Sequence, residues 1–179
     1  MKKALLVLSL SITVISSLFA QNKIYSCRYF SIEYPSNWTT VVVGNLNATT
    51  SNLVDAVLTI KPKNINQGEL TYNIAINMDP SIDWSGINQT HLVQLKNSTK
   101  SQYSKVTFIT EPEFITYKSL SGIMMEYTAN MGPITTRMRQ YIIHKRNGFT
   151  YFLNVCVDNS KVKTQMSEVM SILDSMEIL

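Results

Sequence analysis

GIMMEYTANMGPITTRMRQYIIHKRNGFTYFLNVCV, residues 122–157, reads as three strands joined by two reversals. β-Branched, aromatic and other apolar residues fill 122–129, 134–144 and 148–157. The breaks fall at Asn130-Met131-Gly132-Pro133 and Lys145-Arg146-Asn147-Gly148. Glycine supplies the positive φ that tight reversals need, and Asn-Gly is a strong hairpin signal. The stretch therefore predicts an antiparallel meander. Beyond it, Asp158-Asn159-Ser160 offers helix-capping side chains. Val162, Met166, Val169, Met170, Leu173 and Met176 then recur at helical spacing, which predicts a last helix with one apolar stripe.

Working back toward the N-terminus, residues 29–34 alternate polar and apolar and stop at Pro35-Ser36-Asn37, a strand followed by a turn. Residues 38–43 resume as β-branched sequence, and 44–52 form a polar loop rich in Asn and Thr. Two more strands are expected at 54–60 and 71–78, separated by Lys61-Pro62-Lys63-Asn64 and an Asn-Gln-Gly turn at 66–68. After Asp79-Pro80-Ser81, residues 87–103 lack Gly and Pro and space Leu92, Leu95, Thr99 and Tyr103 by three and four, predicting an amphipathic helix. Short strands at 106–109 and 114–117 are expected around Glu111-Pro112. With no linker and no fixed-period repeat, residues 21–179 read as a single α+β domain.

The segment before it reads as an address. Met1-Lys2-Lys3 is basic, residues 4–19 are apolar and uncharged, and Leu18-Phe19-Ala20 gives way to Gln21-Asn22-Lys23. This is the layout of a signal peptide over residues 1–20. The run falls short of the roughly 20 apolar residues of a spanning helix and is diluted by serines. Cys27 follows Ile24-Tyr25-Ser26, which is not a lipoprotein box, and no later stretch could span a bilayer. The mature protein is expected outside the cytoplasm, periplasmic or secreted, with no stable membrane insertion.

Charged residues make up 16% of the chain, below the roughly 25% of ordinary domains, but the 45% hydrophobic content suffices for a core. The formal charge is only +4, and Lys2 and Lys3 belong to the expected signal. Both facts argue against nucleic-acid binding. In an exported chain the two cysteines, Cys27 and Cys156, are candidates for a disulfide. Such a bond would close nearly the whole domain and contribute at most about 4–5 kcal/mol. Two unpaired thiols, one or both buried, are the alternative.

Phe30-Ser31-Ile32-Glu33-Tyr34-Pro35-Ser36-Asn37-Trp38 resembles the opening F-x-I-x-Y-P-x-x-W strand and turn of the PsbP-like family. That family is named after the extrinsic subunit P of the photosynthetic oxygen-evolving complex and includes exported bacterial proteins of undefined role. Residues 122–127, Tyr141 and Tyr151-Phe152-Leu153 before a terminal helix are similar as well. The resemblance implies an antiparallel β-sheet flanked by helices, an α-β-α sandwich. It implies no enzymatic activity and a role in binding other proteins or stabilising assemblies. Read for themselves, Phe30, Ile32, Tyr34 and Trp38 are core residues.

The chemistry-bearing residues are sparse. His91 and His144 are the only histidines, and neither has a neighbouring Cys-x-x-Cys, His-x-x-x-His or acidic cluster, so no metal site is expected. No Gly-x-Ser-x-Gly elbow and no phosphate-cradling glycine loop occurs; Ser119-Leu120-Ser121-Gly122 reads only as a turn. Cys27 or Cys156 could serve as a nucleophile only as a thiolate beside a base such as His144. Glu111 and Glu113 read as solvated turn residues. No catalytic residue and no cofactor is expected. Four Asn-x-Ser/Thr triplets begin at Asn37, Asn47, Asn88 and Asn97, and matter only in a eukaryotic secretory pathway.

One polar run stands out. Arg137, Arg139 and Tyr141 share a strand face with Thr135, and two guanidiniums at that spacing could receive a carboxylate or phosphate. The alternative is that each Arg bonds a cross-strand acid such as Glu126. Two functional expectations follow. The first is an exported, non-catalytic interaction or assembly module of the cell envelope or extracellular space, its partner another envelope or secreted protein. The second is a binder of a small anionic ligand at Arg137, Arg139 and Tyr141.

Overall fold

The structure is a computed structural model that describes residues 21–47, 56–65, 70, 72–145 and 148–179. The expected signal peptide over residues 1–20, the turn at 66–68 and Arg146-Asn147 lie outside these residues. Along the chain come β1 (Lys23–Ser26), β2 (Phe30–Tyr34), β3 (Trp38–Val43), β4 (Val57–Pro62), β5 (Asn73–Asp79) and α1 (Gln89–Gln102). There follow β6 (Ser104–Tyr117), β7 (Leu120–Met131), β8 (Ile134–Lys145), β9 (Phe149–Asp158), α2 (Val162–Asp174) and β10 (Glu177–Ile178). The strands form a small sheet in the order β1-β2-β10 and a large one in the order β3-β4-β5-β9-β8-β7-β6, antiparallel at every pairing.

Side-chain alternation decides which face meets which layer. In β2, Phe30, Ile32 and Tyr34 turn inward while Glu33 is exposed. In β9, Tyr151, Leu153, Val155 and Val157 face the main core, where α2 brings Val169, Ile172 and Leu173. The opposite face of β9 presents Cys156 to a second cluster, Met125, Tyr127, Ala129 and Met138, roofed by Leu95 of α1 and by Tyr103, which follows its last turn. The large sheet is thus covered by α2 and the small sheet on one side and by α1 on the other, an α-β-α sandwich as expected.

Both helix entries are held by polar side chains, only the second of them signalled in the sequence. Asn88 accepts from the Thr90 N–H at 2.9 Å, and His91 Nδ1 accepts from the Asn88 N–H at 3.3 Å, closing a capping box. Asp158 caps the 3-10 turn Asn159–Lys161 that leads into α2, its carboxylate accepting from the Ser160 N–H at 2.8 Å. In α2 the buried face is Gln165, Val169, Ile172 and Leu173, whereas Met166 and Met170 are only half-buried.

Two expectations are corrected. Residues 106–109 and 114–117 are not separate strands but parts of one, β6. Pro112 does not end it because β6 lies at the edge of the sheet, where a missing N–H leaves no ladder bond unmade. The register with β7 also shifts between Thr110 and Glu113, so the proline rides on a bulge. The candidate disulfide is not formed either: Cys27 and Cys156 are both free thiols. Cys27 belongs to the core beneath α2 and Cys156 packs beneath α1, so the large sheet stands between them.

Gly122 sits where β7 passes β8 at close range. A Cβ there would lie 2.7 Å from Ile143 Cδ1 and 2.8 Å from the Ile142 carbonyl oxygen. The second atom is backbone and cannot swing aside. Gly122→Ala is expected to destabilise the fold by about 1–3 kcal/mol, read as a lower urea midpoint at unchanged slope. An unchanged midpoint would show that the two strands have room to part.

Candidate functional site

The arginine face is closed by the chain itself. The β7–β8 register sets Glu126 directly opposite Arg139. Arg137 Nε donates to Glu126 Oε1. Arg139 donates to Oε2 through Nη2 at 2.6 Å and Nε at 2.9 Å. The Glu126 side chain is only 4% exposed, against 26% for each arginine. Burial pulls the Arg139 guanidinium down, but hydrogen bonding and charge attraction from Glu126, followed by Tyr141, outweigh it and raise its pKa. This is the alternative the sequence offered, a cross-strand bond of each arginine to Glu126, which supplies the carboxylate that a ligand could have brought. Tyr141 shares that face but is buried, its ring 5.4 Å from that of Tyr117. Thr135 bonds the neighbouring turn, donating to Asn130 Oδ1 at 3.1 Å.

The remaining sequence candidates do not converge. His91 is engaged at the start of α1. Burial pushes the Cys156 thiol up to about 11, so it keeps its proton at neutral pH and is no nucleophile. Cys156 stands opposite Met138 and His144 opposite Thr150, six residues apart along one ladder, or about 20 Å. Glu111 pairs with Lys96 at 2.5 Å on the outer edge of β6. Among the described residues no group of three or more His, Cys, Asp or Glu could hold a metal ion, and no helix is long and apolar enough to cross a membrane.

Trp38 has a polar partner that its sequence context did not announce. Its ring is fully buried and edge-on to Tyr72, with centroids 5.3 Å apart. Its Nε1 donates to Glu168 Oε1 at 2.8 Å, and the Tyr72 hydroxyl donates to Oε2 at 2.9 Å. One carboxylate on α2 thus ties the helix to β3 and to the chain entering β5.

At the opposite end of β5 lies a hollow of about 780 Å³, which sequence reasoning missed. Its lining comes from three distant segments: Asp83 and Trp84 before α1, Ser119 and Ser121 at the β6–β7 turn, and His144 and Lys145 at the end of β8. Trp84 stacks on His144 with ring centroids 5.2 Å apart and planes 21° from parallel. Its Nε1 donates to the buried Thr150 hydroxyl at 2.8 Å. Beneath it, His144 Nδ1 is buried without a hydrogen-bond partner among the described residues. Asp83 accepts from the Ser85 N–H at 2.8 Å and from its hydroxyl at 2.9 Å; these bonds hold its carboxyl below the usual aspartate range. The β6–β7 turn has Lys118 and Ser119 at φ 47° and 69°, a conformation normally left to Asn-Gly. Lys118 is anchored there by donating to the Asp174 and Met176 carbonyls at 2.5 and 2.7 Å.

This architecture defines a PsbP-like fold. The cyanobacterial PsbP protein CyanoP of Synechocystis sp. PCC 6803 superposes with a TM-score of 0.59 at 16% identity, over 90% of this chain and 94% of that one. LpqN, involved in cell envelope biogenesis of Mycobacterium tuberculosis, gives 0.56 at 11% identity over 92% and 94%. The Saccharomyces cerevisiae Ran-binding protein Mog1p gives 0.51 at 7% identity over 89% and 96%. At such identities the likeness is one of fold alone. No family model and no curated protein matches the sequence.

Proposed function

We propose that this chain is an exported, non-catalytic interaction module of the cell envelope or extracellular space, related to the PsbP-like proteins, and that it docks through the edge of its large sheet at β3. The observation carrying this reading is the contrast between the two edges. On β3, Val41, Val42 and Val43 are 43%, 43% and 60% exposed. The strand holds no charge and no proline, and it pairs with β4 without a register shift. The β6 edge carries Pro112, Lys105, Glu111 and Glu113, and its register slips three times. Charges, proline and bulges are what keep an edge from pairing with another chain. One edge has these guards and the other lacks them. An unguarded apolar edge is suited to receive an extended segment of a partner through main-chain hydrogen bonds.

The signal layout of residues 1–20 supports an extracytoplasmic place, as does the recurrence of the fold in a protein of envelope biogenesis. With both arginines held by Glu126, no anionic ligand is assigned to them. The test is a photo-crosslinking residue placed in cells at Val42 and, as a control, at Ile109 on the β6 edge. One recurrent envelope protein captured from Val42 alone, and lost in Val42→Lys delivered with a neighbouring crosslinker at Val43, is the expected result. Equal capture from both edges, or capture only of a second copy of the chain, would sink the reading.

A further inference from the structure

We propose that the hollow beside Trp84 is a binding site for a neutral, polyhydroxylated ligand, an oligosaccharide of a few rings. Its volume of about 780 Å³ falls within the range of small-molecule sites, about 300–1,000 Å³. Three properties of its wall select the ligand class.

The first is charge. Asp83 contributes one negative and Lys145 one positive group, so the wall exerts no net pull on an anion or a cation. The second is hydrogen bonding. The hydroxyls of Ser119 and Ser121 each donate and accept, the Asp83 carboxylate accepts, and the Lys145 ammonium donates. A ligand made of hydroxyls, which also donate and accept, satisfies such a set without bringing an unpaired charge into it. The third is a flat apolar surface set in place beforehand. The indole of Trp84 is fixed at two points, by its bond to Thr150 and by its stack on His144. The imidazole lies nearly parallel to the indole, with its Nδ1 buried and without a partner among the described residues. A rigid aromatic plane among hydroxyls offers the C–H face of a sugar ring a surface whose ordering cost has already been met.

The same rigidity extends to the other side of the cleft. Ser119 is held in a left-handed conformation that a non-glycine residue adopts at a cost, and Lys118 beside it is anchored to the end of α2. Asp83 is fixed by two bonds from Ser85. The lining therefore needs no rearrangement to receive a ligand, and none of its residues belongs to β3, the edge on which the docking proposal rests.

The chain has two tryptophans, which makes the test internally controlled. Trp84 lies in the hollow, and Trp38 is bonded to Glu168 at the far end of β5. In nitrogen-15 spectra of the mature protein, maltotriose, cellotriose and N,N′,N″-triacetylchitotriose would be titrated, with a glucuronate-containing disaccharide as the charged comparison. At least one neutral trisaccharide is expected to move the Trp84 indole resonance saturably while that of Trp38 stays in place. Ser121→Ala and Asp83→Ala alter exposed residues and are expected to weaken that binding about tenfold, the first with an unchanged thermal midpoint and the second with a slightly lower one, since it also removes the acceptor of the Ser85 bonds. Val42→Lys is expected to leave it intact. The proposal is overturned if no trisaccharide moves the Trp84 resonance or if both indoles move together. Stronger binding of the charged disaccharide, or binding undiminished in Ser121→Ala and Asp83→Ala, would overturn it equally.

Discussion

Trp38→Ala is expected to lower the stability of the fold by about 3–5 kcal/mol, a large share of the roughly 5–15 kcal/mol a domain of this size possesses. The indole is the largest of the fully buried side chains among the described residues, and its removal opens a cavity where β3, β5 and α2 meet. Two effects add at this position. The apolar ring leaves a void that the neighbouring strands cannot close, and Glu168 loses one of the two donors fixing it. Trp38→Phe separates them, because it keeps most of the ring and removes only the N–H. That variant is expected to lose about 1–3 kcal/mol. Urea unfolding followed by far-ultraviolet circular dichroism reads both without relying on the deleted fluorophore. If Trp38→Ala unfolds within 1 kcal/mol of the parent, the residue is not the keystone that its burial implies.

The second large effect is expected at Glu126. Glu126→Ala leaves two guanidiniums on one strand face, two residues apart and three-quarters buried, with no counter-charge. Removing one partner of a buried ion pair costs about 3–5 kcal/mol, and the partial exposure of the arginines places this case toward the lower figure. Glu126→Gln is expected to shift stability in the same direction by less, since the amide oxygen still accepts one bond. The informative variant replaces all three residues. With Glu126, Arg137 and Arg139 changed together to leucine, stability is expected to return near that of the parent, because nothing charged is then left unpaired. Thermal unfolding of the four proteins checks the series. A Glu126→Gln protein melting at the parental temperature would refute it.

The legible part of the fold is the part written in local pattern. Residues 122–157 alternate and break at glycine, so the meander β7-β8-β9 could be drawn from them directly. The α1 helix followed from the spacing of Leu92, Leu95, Thr99 and Tyr103, and α2 from its apolar stripe. What escaped reading is pairing between distant segments. β1 and β10 are four and two residues long, mostly exposed, and exist as strands only because β2 lies between them. Pro112 looked like a break because a proline reports its missing N–H but not whether a neighbour needed it.

The candidate site divides the same way. That Arg137 and Arg139 share a face is a matter of parity, visible in the sequence. That Glu126 reaches both depends on the β7–β8 register, which places it opposite Arg139. Parity alone could not tell that Cys27 and Cys156 lie on opposite sides of the large sheet. The hollow at Trp84 was out of reach because its walls come from segments around residues 83, 120 and 144, none of them a motif by itself.

The small sheet carries a consequence for how this chain comes into being. β2, near the start, is completed only when β10 pairs along its free side, with Ser175 Oγ accepting from the Glu33 N–H at 2.9 Å and the Leu179 N–H donating to the Tyr29 carbonyl at 2.9 Å. The tryptophan that opens β3 likewise waits for Glu168. Until those last segments exist, the early strands have no roof over Phe30 and Ile32, and the long loop between the two ends must close before either gains from the other. The small sheet therefore closes only once the last residues are available, a timing that would serve the export proposed above.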